Sequence, residues 1–76
     1  MEHYQLAITA YDRPGSLERI LRVIRHRGGK ILTMNMQTIS AEQLTLSFNL
    51  ADRNLKSQMI NQLTKLADIV AISDES

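Results

Sequence analysis

Few residues of this chain are of a type that does chemistry, and several of them gather early: Asp12, Arg13, Ser16 and His26 all fall within one short stretch. General acid–base catalysis needs two titratable groups within reach of one substrate atom. A helix running from about Pro14 to Arg27 is about 20 Å long at 1.5 Å per residue, so Asp12 and His26 stand at its opposite ends and form no dyad. Ser16 has no adjacent base to activate it and reads as a first-turn helix residue. His3 and His26 have no carboxylate at ligand spacing and the chain has no cysteine, so neither a metal site nor thiolate chemistry is expected. No catalytic residue is assigned.

The same stretch is rich in charge. Residues 13 to 30 hold Arg13, Arg19, Arg22, Arg25, Arg27 and Lys30 against Glu18, a strong local excess of positive charge in a chain whose total is only +1. Part of this is helix chemistry, because Glu18 precedes Arg22 by four residues and arginine stems cover apolar surface while their heads stay in water. Taken together, Arg19, Arg22, Arg25, His26 and Arg27 form a donor-rich face of the kind on which protein partners dock, with phosphate as a competing ligand.

The elements that carry these residues follow from hydrophobic spacing. Tyr4, Leu6 and Ile8 alternate with smaller or polar residues, which predicts a half-buried strand. Pro14 suits the first position of a helix, with Asp12 as its N-cap. Leu17, Ile20, Leu21 and Ile24 fall on one helical stripe, and Gly28 and Gly29 end it. A second strand is expected from about Lys30 to Ile39, with Leu32, Met34 and Met36 on one face and Thr33, Asn35 and Gln37 on the other. Ser40 to Gln43 forms a polar turn, and Leu44, Leu46, Phe48 and Leu50 give the clearest strand pattern, so these two strands pair as an antiparallel hairpin. Asp52 or Asn54 caps a second helix carrying Leu55, Met59, Leu63 and Leu66. Residues 68 to 73 form a short last strand, and Asp74 to Ser76 a frayed end. The order βαββαβ predicts an α+β, ferredoxin-like sandwich with two helices on one face of a four-stranded antiparallel sheet.

With 76 residues and no apolar run near 18, the chain is expected to be one domain, 1–76, without a membrane span. Met1-Glu2-His3-Tyr4 does not begin a secretory signal, so the cytoplasm is the expected location. A domain of this size buries only about 60% of its unfolded surface, which favours self-association. Other functions hosted by this topology lack their residues here. RNA recognition needs stacking aromatics on the central strands, where Thr45, Ser47 and Asn49 stand instead. A metal carrier would need a cysteine pair, and acyl phosphate hydrolysis would need a glycine-rich anion loop beyond Arg13 and Gly15.

The segment "YDRPGSLERILRVIRHRGG" resembles the ACT domain, the ligand-sensing module of amino-acid metabolism. "LERILRVIRHRG" with the later "MNM" and "QLTKLADI" is similar to the small subunits of acetolactate synthase, in particular the short single-domain type. The resemblance implies a regulatory subunit that binds and activates a large subunit, on which thiamine diphosphate, magnesium and FAD are expected. No cofactor is expected on this chain. It further implies an effector site at a domain interface, formed here by Asp12, Arg13, Gly15, Ser16 and Lys30. Lys30 stands where valine-sensing relatives have an asparagine. A lysine cannot accept a hydrogen bond from an ammonium group, so valine feedback is not expected. The chain is expected to pair with itself along the strand carrying Leu32, Met34, Asn35 and Met36, an edge with unpaired backbone groups. The alternatives are a free-standing sensor of a small carboxylate and a nucleic-acid binder using the arginine face.

Overall fold

The computed structural model describes all residues from Met1 to Ser76. Its elements are β1 (Glu2–Tyr11), α1 (Ser16–His26), β2 (Gly29–Thr38), β3 (Gln43–Asp52), α2 (Lys56–Thr64) and β4 (Ile69–Asp74), in the order expected. The four strands form one antiparallel sheet in the order β2-β3-β1-β4, which leaves β2 and β4 as its edges. Side chains alternate across a strand, and in β1 and β3 one face is consistently buried: Tyr4, Leu6, Ile8 and Ala10 pack with Leu44, Leu46, Phe48 and Leu50. The register sets Leu6 opposite Phe48 and Ile8 opposite Leu46. Ile20 and Ile24 of α1 and Met59 and Leu63 of α2 complete the same core, so both helices cover one face and the other is open.

Several boundaries differ from expectation for local reasons. Pro14 does not start the helix. Pro14 and Gly15 form the corner of a type II turn, in which Gly15 takes φ 80° and ψ 0° and the Ser16 N–H donates to the Arg13 carbonyl at 3.0 Å. α1 therefore begins at Ser16 with Gly15 as its N-cap, and no side chain caps it. Asp12 stays with the sheet instead, its N–H donating to the Glu42 carbonyl at 2.8 Å. At the other end Arg27 is the C-cap, and Gly28 follows at φ +96°, the left-handed conformation that stops a helix.

In β2 the expected grouping of Leu32 with Met34 and Met36 is corrected. Ile31 is opposite Leu50 and Met34 opposite Phe48, so β2 spends one residue more than β3 between those pairs. This bulge puts Ile31, Met34 and Met36 in phase on the helix-covered side and takes Leu32 out of that series. Leu32 lines the open-face cavity with His3, Gln5, Thr33 and Asn49. At α2, neither Asp52 nor Asn54 is the cap. Leu55 holds that position, its N–H donating to Gln58 Oε1 at 3.4 Å, and its side chain is exposed rather than in the core. The C-terminus is not frayed. Asp74 pairs with Leu6 in the sheet and its carboxylate meets Lys56 Nζ at 2.6 Å, while the Glu75 N–H donates to the Gln5 carbonyl at 2.9 Å.

Candidate functional site

Two ends of the sheet and one edge carry the residues singled out above. At the first end, the β1–α1 turn brings Arg13 and Arg19 onto one carboxylate. Asp68, just before β4, accepts from Arg19 Nε at 2.9 Å and Nη2 at 2.7 Å, and from Arg13 Nη1 at 3.3 Å. The Asp68 side chain is almost fully buried whereas both guanidinium-bearing side chains are about half exposed. Arg13 also lies over the Tyr11 ring, 4.5 Å from its centroid. Ser16 is buried, and its hydroxyl accepts from the Arg13 N–H at 3.3 Å.

Lys30 is not at this end. It pairs with Ala51, whereas Tyr11 pairs with Gln43. Gln43 and Ala51 are eight residue steps apart along β3, which at about 3.4 Å each puts Lys30 about 27 Å from the loop. Asp12, Arg13, Gly15 and Ser16 therefore stand together, and Lys30 does not join them within one chain.

The far end holds a buried group, Asp52, for which the sequence suggested only a helix cap. Asp52 accepts from the Tyr4 hydroxyl at 2.5 Å and from the Asn54 N–H at 2.9 Å. Burial, and then the Asp52 carboxylate beside it, hold the Tyr4 phenol well above the usual tyrosine range. Asn54 in turn donates to the Arg27 carbonyl at 2.9 Å, tying the end of α1 to the turn before α2. The signal was there: Asp52 continues the inward phase of Leu44, Leu46, Phe48 and Leu50, and an acid at an inward position needs a donor. Asp68 carried no comparable local sign, because its partners lie 49 and 55 residues away.

The arginine row divides. Residues advance by 100° around a helix, so Arg19 faces Asp68 from one flank of α1 while Leu21 and Arg25 lie on the other, toward the β2 edge. Arg27 is taken up in the C-cap. Arg22, Arg25 and His26 remain together with Glu18 and Leu21 around a shallow surface cleft. Glu18 and Arg22 form no ion pair; those present are Arg13–Asp68, Arg19–Asp68 and Lys56–Asp74.

Along the β2 edge, Leu32, Met34 and Met36 are exposed, as is Ile39 beyond it. No other strand pairs with the outer side of β2. No group of three His, Cys, Asp or Glu residues stands close enough to hold a metal ion. No helix is long and apolar enough to cross a membrane.

Comparison with known proteins agrees with this architecture. A model of the ACT domain matches residues 12–72. The small subunit of acetolactate synthase isozyme 2 from Escherichia coli K12 is 34% identical over 74 residues, covering 96% of this chain and 85% of the relative, and the small subunit from Shigella flexneri matches equally. Among solved structures, the acetolactate synthase small subunit of Thermotoga maritima superposes with a TM-score of 0.83 at 16% identity, over 97% of this chain. The chain spans 47% of that protein's length. The ACT domain of a GTP pyrophosphokinase from Chlorobium tepidum gives 0.80 at 16% identity and covers 95% of both chains.

Proposed function

Since this chain belongs to the ACT-domain family and, within it, to the small subunits of acetolactate synthase, we propose that it binds and activates an acetolactate synthase catalytic subunit in the cytoplasm. On this reading the chain performs no chemistry itself. Thiamine diphosphate, magnesium and FAD belong to the catalytic subunit, which condenses 2-oxo acids on the route to branched-chain amino acids. The observation that carries the proposal is the 34% identity over 96% of the chain to a small subunit of this enzyme. The surface supports it: Arg22, Arg25 and His26 stand free of intramolecular ion pairs on the outside of α1, and arginine is favoured where proteins dock.

Self-association is the second part of the proposal. The unpaired edge of β2, with Leu32, Met34, Asn35 and Met36 exposed along it, is completed by a second copy in antiparallel pairing about a two-fold axis. Such pairing runs the start of one β2 against the end of the other. It thereby brings Lys30 of one copy toward the Asp12–Ser16 loop of its partner, across the gap that separates them in a single chain. A composite site of that kind offers backbone N–H groups beside Gly15 and two kinds of cation, which favours a carboxylate. Lys30 disfavours an ammonium group, so the subunit activates without valine feedback.

The test is reconstitution. Added to a cognate catalytic subunit, the chain is expected to raise acetolactate formation to a plateau that valine does not lower. No stimulation and no co-elution would remove the proposal. A sensor that works alone is the second reading, favoured by the loop geometry at Gly15; binding of amino or 2-oxo acids in calorimetry, without any effect on the synthase, would select it. Lys30→Asn is expected to raise valine affinity, and unchanged binding would show that Lys30 is not what excludes valine.

A further inference from the structure

Of the four methionines, Met34 and Met36 occupy an unusual place. Both lie on the edge strand, facing Phe48 and Leu46 across the ladder on the helix-covered side, yet they remain 42% and 49% exposed. Met59, in the core beneath α2, is only 1% exposed, and Met1, at 76%, lies on the start of the chain away from this edge. Branched and aromatic residues are the usual occupants of strands. Here two flexible thioethers stand two positions apart on one side of a strand whose outer backbone groups are unpaired. Leu17 and Leu21 of α1 are likewise only partly buried against the same core.

We propose that Met34 and Met36 are sites of reversible oxidation, and that their sulfoxides dissociate the self-associated subunit. The reaction needs a hydroperoxide as oxidant: one oxygen atom passes to the sulfur, which loses two electrons and becomes a sulfoxide, and the peroxide leaves as water or an alcohol. The product is a polar, chiral group on a formerly apolar side chain. Each sulfoxide oxygen would have to be stripped of water when a second β2 closes over this edge, where the in-phase neighbours along the strand, Ile31 and the other methionine, carry no donor. Oxidation is therefore linked to the assembly equilibrium. The thioethers react in the separated chain and are shielded in the associated one, so the modification traps the separated form. Methionine sulfoxide reductases, one for each epimer, reverse it.

This inference rests on the self-association through β2 proposed above, and one experiment tests the two apart. The full chain is treated with hydrogen peroxide, its sulfoxides are located by peptide mass spectrometry, and its association is followed by sedimentation over a range of concentrations. Met34 and Met36 are expected to oxidise while Met59 does not, more slowly at higher protein concentration. The dissociation constant is expected to rise by about tenfold or more, the factor for leaving a desolvated polar atom unpaired. The double variant Met34→Leu/Met36→Leu, checked to fold by circular dichroism, is expected to associate before and after peroxide. An untreated chain that is monomeric throughout would overturn the β2 reading and this inference together. An untreated dimer that stays intact with both sulfoxides formed would overturn this inference alone. So would dissociation of the leucine variant by peroxide.

Discussion

Asp52 and Asp68 are both buried, and the two ends of the sheet hold them in opposite ways. Asp52 receives a buried phenol and the backbone N–H of Asn54 at its outer side, both neutral. Asp68 receives two guanidinium groups whose side chains are about half exposed. A buried charge answered by neutral donors depends wholly on those donors, since water cannot replace them. A carboxylate held by half-exposed arginines can exchange its partners, and the arginines can turn to another anion without being stranded. The Asp52 end is thus built for rigidity. The Asp68 end, which includes the β1–α1 turn and is the end that a paired copy would approach, is built to be rearranged.

The comparison can be broken first at its rigid end. Asp52→Leu strands the Tyr4 hydroxyl and the Asn54 N–H, and is expected to destabilise the fold by about 2–4 kcal/mol in urea unfolding. Tyr4→Phe removes one donor only and should cost about 1–2 kcal/mol. It has a second signature in pH. The Tyr4 phenol is held above its ordinary value in the folded chain, so its stabilising contribution is complete below the unfolded value of about 10 and is lost as pH rises beyond it. The variant should lack that part of the alkaline decline; an unchanged pH profile would mean that the folded chain does not hold the Tyr4 phenol above its ordinary value.

At the adaptable end, Asp68→Ala leaves two arginines that water can reach, and should cost about 1 kcal/mol or less. A loss as large as that of Asp52→Leu would erase the distinction between the ends. The smallest effect belongs to Asp74. Its contact with Lys56, ahead of a hydrogen bond from the Ser76 N–H, holds its carboxyl below the ordinary range. The stability linked to it is present above about pH 3.9 and fades as pH falls through the lowered folded value. Lys56→Met should slightly flatten the acid side of the stability profile, and a steeper acid side would contradict the pairing.

Which parts could be read beforehand follows from the range of the forces involved. The alternation of Leu44, Leu46, Phe48 and Leu50 and the helical stripe through Ile20 and Ile24 are local patterns, and they defined the order of elements, the sheet and the exposed edge. Pro14 fits both a helix start and a turn; it is the adjacent Gly15 with positive φ that decides for the turn. The bulge at Leu32 had no local sign, because Leu32, Met34 and Met36 read as one unbroken alternation and only pairing with β3 inserts the extra residue. Arg13 and Arg19 were legible as cations but not as partners of Asp68, which lies near them only after the whole chain has folded. Lys30 and the loop could be named together from a family likeness, yet they lie at opposite ends of one chain and need a second chain to meet.

The most direct test of the central claim, that this small sandwich works by docking on a catalytic subunit, is a sedimentation titration of that subunit with the chain. A single complex should form and saturate at a fixed ratio, and Arg22→Glu/Arg25→Glu should weaken it while leaving the fold intact. A catalytic subunit that sediments unchanged at every ratio, or a complex indifferent to both charge reversals, would contradict the account.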